Sequence, residues 1–384
     1  MVRNTFGVRK IFLAIDWTLV LCLLPILGAG LVTMNSFVGE SALFDKQIVW
    51  ISVGFTIFFI LSFFDFRFLR RTPVLVALFL ISIFTLSVLL VIGGITNGSQ
   101  SWFNLGFFFL EPADLSKLVL IAILAKYFSR RHIEIAHIRH ILVSGLYALV
   151  LFSLVLLQPD FGSAVIIFLI WFGMVLVSGI SKKHLALVFF VGIVAFLSLW
   201  FFAFKEYQKH RIINFIHPFS DIRGTGYNAY QSTIAVGSGE IFGKGIGFGT
   251  QSRLKFLPEY ETDFIFASFA EEWGFAGVLL LFFLYAVVIW RILVHAMRGA
   301  TNFETLFGLG LAIFFMSHFF INVGMNIGLL PVTGITLPFM SYGGTHLITE
   351  FIGLGVLMGM SRYQRPAHKD LSKNEFLGVM GEEV

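Results

Sequence analysis

The chain has 384 residues, 57% of them hydrophobic and only 13% charged, where a soluble domain carries about 25% charge. A mean hydropathy of +0.88 leaves too little polar surface for an aqueous globule, so the bilayer is the natural solvent. The single cysteine, Cys22, excludes an internal disulfide, and a net charge of +5 gives nucleic-acid binding no support. Arg3, Arg9 and Lys10 precede a first apolar run at 12–34. No small-residue cleavage site follows it and many more runs do, so it reads as a span and not as a removed signal peptide. Further runs lie at 47–64, 73–94, 113–128, 141–157, 162–180, 185–204, 263–294, 305–328 and 337–361. A span needs about 20 apolar residues to cross about 30 Å of hydrocarbon, so the expectation is an all-α polytopic membrane protein of about ten transmembrane helices. The last two runs are interrupted by Gly and Pro, which is tolerated where neighbouring helices or a cavity satisfy the freed backbone.

Orientation follows from Lys and Arg in the short loops. Arg67, Arg70 and Arg71, then Lys126, Arg130, Arg131 and Arg139, then Lys182 and Lys183, then Arg291 and Arg298, then Arg362, Arg365, Lys369 and Lys373 alternate with less basic connections. Together with the N-terminal cations they belong inside. The loops 35–46 and 95–112, the turn at Gln158-Pro159-Asp160, the segment 205–262 and the stretch 329–336 belong outside. Both termini are then cytoplasmic. Residues 1–366 form one transmembrane domain, with 205–262 as a large extracytoplasmic loop between spans seven and eight. Residues 367–384 form a cytoplasmic tail. A structureless connection as long as 205–262 would be unusual, so short helices lying on the membrane surface are expected there.

Asp263 stands immediately before the apolar run Phe264-Ile265-Phe266-Ala267. It is open to two compatible readings: a helix N-cap, and a general base whose pKa is raised at a partly dry boundary. Glu271 and Glu272 lie roughly 12 Å further along and read best as groups that bind helix ends or partner cations within the bundle. Asp114 and Lys117, spaced to share one helix face, are either a structural ion pair or the polar wall of a site. Asp160 is by its place a turn and cap residue. Asp16 reads as a structural anchor paired with a loop cation. The outer loop carries Lys205, Lys209, His210, Arg211, Arg223, Lys244, Arg253 and Lys255. These run against the inside bias and are open to two readings, a solvated face or contacts to a phosphate-bearing ligand; for the second Arg211 is the foremost, since Arg can grip phosphate bidentately. The glycine-rich string Gly243-Lys244-Gly245-Ile246-Gly247-Phe248-Gly249 follows no strand and is not a nucleotide loop. His132, His137 and His140 lack metal-ligand spacing.

Several strings occur together and in order: Gln158-Pro159-Asp160-Phe161-Gly162, Gly249-Thr250-Gln251-Ser252, Leu257-Pro258-Glu259, Thr262-Asp263-Phe264, Glu271-Glu272, Leu330-Pro331-Val332-Thr333-Gly334, and Leu337-Pro338-Phe339-Met340-Ser341-Tyr342-Gly343-Gly344. With them the chain resembles the SEDS family (shape, elongation, division and sporulation) from about 12 to 362. Tyr207-Gln208-Lys209-His210-Arg211 and the stretch 249–258 point to its elongation-type branch, with the division type as the near alternative. The resemblance implies a peptidoglycan glycosyltransferase of the bacterial cytoplasmic membrane that polymerises lipid II, a disaccharide-pentapeptide on a polyprenyl pyrophosphate. It implies Asp263 as the essential aspartate. Asp114, Lys117, Asp160, Arg211, Lys244, Gln251, Glu259 and Ser341 become substrate-binding candidates. It also implies a class B penicillin-binding protein as partner, membrane lipids around the spans, and no nucleotide. Lys117, Arg211 and a divalent cation (Mg or Mn) would neutralise pyrophosphate charge. Three departures stand out: Asp114 where Glu is usual, Ser101 before Trp102 where Arg is usual, and Thr336 before Leu337 where Pro is common. A lipid-precursor transporter and a scaffold for cell-wall enzymes are the rival classes.

Overall fold

The computed structural model describes residues 15–36, 42–93, 101–104, 106, 109–129, 138–202, 204, 206–217, 226–254 and 256–362. The N-terminal cations Arg3, Arg9 and Lys10, the loop residues Arg130, Arg131, His132, His137, Lys205, Arg223 and Lys255, and the tail 367–384 lie outside the described residues.

Each of the ten apolar runs holds one long helix. They are α1 (Trp17–Asn35), α2 (Ala42–Ser62), α3 (Thr72–Ile92), α4 (Pro112–Ser129), α5 (Ile138–Leu157), α6 (Phe161–Val177) and α7 (Lys182–Phe202), then α11 (Ile265–Met297), α12 (Asn302–Asn326) and α13 (Gly344–Arg362). Seven of them (α1, α2, α3, α5, α7, α11 and α12) are long and apolar enough to cross a membrane, which makes this an all-α polytopic membrane fold. α6 is shorter at 17 residues, and α4 carries Asp114, Lys117 and Lys126. A two-residue hairpin, β1 (Phe103–Asn104) with β2 (Phe109–Leu110), lies before α4. The long connection between α7 and α11 holds three short helices, α8 (Glu206–Ile216), α9 (Tyr227–Ser238) and α10 (Thr250–Arg253).

In the bundle α13 packs on α2, α11 lies between α1 and α12, and α12 also contacts α4 and α6. The run at 337–361 becomes helical only from Gly344. Before it, Pro338 lacks an amide hydrogen and disfavours helix in the residue ahead of it, so the chain from 328 to 343 crosses the bundle end as extended segments and turns.

The two ends of the bundle are fastened differently. At one end Asp16 caps α1, accepting from Thr18 N at 3.1 Å and Leu19 N at 3.3 Å. The same carboxylate takes Arg291 Nε at 2.6 Å and His295 Nε2 at 2.8 Å from the last turns of α11. The expected loop partner of Asp16 is thus a pair of helix side chains, because α11 runs on to Met297 and carries Arg291 with it. Arg70 pairs with buried Glu304 at the start of α12. The other end carries Asp263.

α11 is broken near that second end. Gly274 has φ +64° and ψ −169°. A continuous helix would bond Phe275 N to Glu271 O and Ala276 N to Glu272 O. Instead the loop after α9 inserts its backbone. Phe275 N donates to Glu240 O and Ala276 N to Ile241 O, both at 2.9 Å, while Lys244 N donates to Glu271 O at 2.9 Å and Gly245 N to Glu272 O at 3.0 Å. Two helical bonds are exchanged for four loop bonds, and each of those two amides and two carbonyls keeps a partner. The exchange requires glycine: a Cβ on Gly274 would lie 2.2 Å from Gly243 N, and one on Gly243 would lie 2.1 Å from Glu272 O.

Candidate active site

Asp263 sits one residue outside α11. The helix begins at Ile265 with Phe264 in the cap position and no side-chain cap, so the capping reading of Asp263 is not realised. Its backbone is fixed instead. Asn322 Nδ2 and Asn326 Nδ2 of α12 donate to Asp263 O at 2.9 and 3.0 Å. Asn322 Nδ2 also holds Ile335 O at 2.7 Å, and Ser232 Oγ of α9 donates to Asn326 O at 2.9 Å. The neighbouring turn is laced to the 337–342 segment. Ser341 Oγ donates to Thr262 O at 2.6 Å and accepts from Leu337 N at 2.8 Å, while Tyr342 N donates to Glu261 O at 2.8 Å. Ser341 therefore positions the turn that carries the acid.

The half-buried carboxylate itself receives no hydrogen bond among the described residues. Desolvation, helped by the negative charges of Glu259 and Asp160 and opposed by Arg211, pushes it up to about 7. A carboxylate bonded to several donors behaves in the opposite way, so this acid is set up to exchange a proton near neutral pH. Glu259, exposed and at φ +53°, accepts from Thr262 Oγ1 at 3.0 Å. A Cβ on Gly334 would lie 3.5 Å from Asp263 Oδ2, which puts the 331–336 segment against the acid.

Beside that segment Arg211, Gln208 and Ile212 of α8 face Phe161, Phe204 and Pro331–Thr333 across a small, partly open cleft. The cleft is mostly apolar and borders the turn of Asp160, whose carboxylate caps α6 by accepting from Ser163 N at 3.0 Å.

Asp114 and Lys117 are fully buried and joined, Nζ to Oδ1 at 2.7 Å. Lys117 Nζ also donates to Ser163 Oγ at 3.2 Å, which links α4 to the cap of α6. Just outside α4, Glu111 accepts from Trp102 Nε1 at 3.0 Å. Desolvation, with Asp114 and Asp160 adding and Lys117 opposing, pushes Glu111 up to about 8. Asp263, Arg211, Asp160, Lys117 and Asp114 thus share one end of the bundle and act on one another's charge.

Lys244 and Gln251 are organised around a different carboxylate. Glu271 Oε1 accepts from Lys244 Nζ at 2.7 Å, from Thr250 N at 2.8 Å and from Gln251 N at 3.2 Å. Glu272 accepts from Gly247 N at 2.8 Å. The two glutamates hold the glycine-rich loop, as expected of groups that bind helix ends and bundle cations.

Asn322, Asn326, His346 and Glu350 escaped the sequence reading. His346 Nδ1 lies 3.2 Å from Asp114 Oδ2, His346 Nε2 lies 3.0 Å from Glu350 Oε1, and Glu350 Oε2 accepts from Phe339 N at 2.9 Å. An ionisable residue inside an apolar run was the available signal for Glu350; the asparagines looked like ordinary polar ends of a span.

Comparison with known proteins gives the family. The family model described as "Cell cycle protein", covering FtsW, RodA and SpoVE, matches residues 9–366. The peptidoglycan glycosyltransferase MrdB of Escherichia coli K12 is 34% identical over 93% of this chain and 96% of its own. Stage V sporulation protein E of Bacillus subtilis is 34% identical over 91% and 98%. The probable peptidoglycan glycosyltransferase FtsW of Haemophilus influenzae is 36% identical over 75% and 73%. Among solved structures, a chain of a peptidoglycan synthase complex superposes with a TM-score of 0.78 at 31% identity, covering 91% of this chain and 99% of that one. The rod shape determining protein RodA of Thermus thermophilus superposes at 0.68 with 32% identity, covering 91% and 98%.

Proposed function

Because the chain belongs to the SEDS family it is a peptidoglycan glycosyltransferase, a multi-pass protein of the bacterial cytoplasmic membrane, and we propose that it polymerises lipid II at the bundle end that carries Asp263. The observation that carries this reading is a half-buried carboxylate, free of hydrogen-bond donors among the described residues, on a rigidly held backbone. Asp263 takes the proton from the acceptor sugar's 4-hydroxyl. That oxygen attacks the anomeric carbon of the donor, the bond from that carbon to the pyrophosphate oxygen breaks, and inversion leaves a β-1,4 link with polyprenyl pyrophosphate departing. The pyrophosphate is already an activated leaving group, so no nucleotide enters.

Lys117 and Arg211 neutralise the leaving charge, with Asp114 and Asp160 holding Lys117 and the α6 turn in place. Glu259 and Ser341 shape the turn around the base, and Lys244 and Gln251 act through the loop they brace on Glu271. A divalent cation would draw its ligands chiefly from the pyrophosphate, since among the described residues no three His, Cys, Asp or Glu side chains form a metal-holding group. No step above depends on it.

In this reading all ten long helices cross the membrane, both termini are cytoplasmic, and the Asp263 end faces outward. The elongation-type role is taken from the Tyr207-Gln208-Lys209-His210-Arg211 string and the stretch 249–258, which resemble that branch, since identity to the MrdB and FtsW relatives is similar at 34% and 36%. The partner is a class B penicillin-binding protein that crosslinks the new strand. That assignment is supported by likeness to a chain from a complex described as coordinating polymerization and crosslinking. The test is polymerisation of lipid II by the purified protein with its partner transpeptidase. Wild type is expected to make glycan strands and folded Asp263→Asn to make none; undiminished polymer from the variant would remove Asp263 as the base. Restoration of rod shape, and not of division, in depleted cells would fix the elongation role.

A further inference from the structure

Two groups buried in the bundle, His346 and Glu350 of α13, have no part in the mechanism above. They are nonetheless placed where it can feel them. The Asp114 carboxylate is divided between two partners: Oδ1 faces Lys117 Nζ at 2.7 Å and Oδ2 faces His346 Nδ1 at 3.2 Å. The far nitrogen of the same imidazole lies 3.0 Å from Glu350 Oε1, an ion-pair distance without hydrogen-bond alignment. The second oxygen of Glu350 holds Phe339 N at 2.9 Å, and Phe339 has φ +60°. A bulky residue in that region is strained and persists only when its surroundings hold it. Phe339 lies in the turn that ends at Ser341, whose hydroxyl fastens Thr262 next to Asp263.

Base and carboxylate alternate along this line. The set can therefore be neutral as a whole, which is the condition for burying it. Asp114 is also a short side chain. Held on one oxygen only, it would be free to rotate and carry Lys117 with it.

We propose that His346 is a positioning residue: it fixes the second oxygen of Asp114 so that Lys117 stays aimed at the leaving group, and through Glu350 and Phe339 it ties Lys117 to the turn bearing Asp263. The inference rests on the functional reading above. It predicts an effect on turnover, because the leaving charge on which Lys117 acts develops in the transition state.

The test uses the full chain with its partner transpeptidase and lipid II, and three variants of one residue. His346→Ala should lower kcat about tenfold, the scale expected when one partner of a buried ion-pair network is lost without unfolding, with KM little changed. The amide nitrogen of His346→Asn stands where Nδ1 stood, and that of His346→Gln where Nε2 stood. The Asn variant should therefore keep kcat within about threefold, while the Gln variant falls with Ala. A merely structural His346 would reduce the folded fraction and leave the surviving molecules at wild-type kcat. That result, or equal kcat for the Asn and Gln variants, overturns the proposal. If the wild type itself makes no polymer, the functional reading fails and this inference falls with it; if it does and the variants behave otherwise than stated, this inference alone falls. His346→Ala and Lys117→Met act on one carboxylate and should be non-additive; additive losses overturn it.

Discussion

Asp16 and Asp263 are the same residue type in nearly the same local setting, each just ahead of an apolar helix at one end of the bundle. Their surroundings make them opposites. Burial works against the charge of Asp16, but hydrogen bonds from His295 and Arg291, with backbone amides of α1, override it and hold that carboxyl well below the usual range. Asp263 has its backbone fastened by two asparagines and its carboxylate left without donors among the described residues, and burial pushes it up to about 7. A carboxylate given every donor becomes a clamp. One given a rigid backbone and no donors among the described residues is left open for the base role proposed above.

Exchanging the two outcomes by mutation is the strongest way to break this contrast. Asp263→Asn should cost at least about a hundredfold in polymerisation, the usual reach of a general base, with melting in detergent unchanged or raised. Asp16→Ala should do the reverse. It strands Arg291 and His295 at a buried site and should lower stability by about 3 kcal/mol, while each folded molecule turns over as before. Loss of turnover by well-folded Asp16→Ala would mean that the two ends are not separate in function.

Gly274→Ala probes what keeps the Asp263 end in shape. A methyl group there meets the inserted loop backbone and demands a left-handed conformation. A loss of about 2 kcal/mol or more is expected from strain alone, read as a lower melting temperature together with faster proteolysis between residues 239 and 254.

The smallest effects are the most specific, because the two acids carry opposite signs. Asp263 is raised from its ordinary 3.8 to about 7. Its contribution to stability is largest at low pH and is lost as pH rises toward 7, whereas turnover, which needs the ionised base, rises through about 7 and then levels. Asp16 is lowered, so its contribution is present above the ordinary carboxylate pKa and fades only below it. Arg211→Ala removes a positive charge near Asp263 and should move the activity limb to higher pH; Glu259→Gln removes a negative charge and should move it to lower pH. Rate profiles of the two variants check both directions, and a limb that ignores both would mean that another group titrates.

Much of this was legible in the residues. The apolar runs gave helices because an apolar run in hydrocarbon has few other ways to satisfy its backbone. Asp263 stood out because an acid at such a mouth is costly, and short helices in the 205–262 segment followed from its length. The joint at Gly274 was not legible. It depends on backbone pairing between residues some thirty apart, and the only trace is a run of glycines with several possible meanings. His346 and Glu350 were hidden in an apolar run whose helix starts later than the run does, and Asn322 and Asn326 act through carboxamides that carry no charge to notice. Which carboxylate receives donors is a matter of three-dimensional supply, and a linear string does not record it.

The inserted loop also changes what α11 is as a mechanical object. Four backbone hydrogen bonds bind residues 240–245 to residues 271–276 across the break, and the side chains of Glu271 and Glu272 bind the loop beyond them. The short helix that begins beside Asp263 is therefore cut from the loop's stock as much as from the span's. Loop and short helix thus form one hydrogen-bonded unit beside Asp263, as a latch is fixed to its door, with the long part of α11 lying beyond the break.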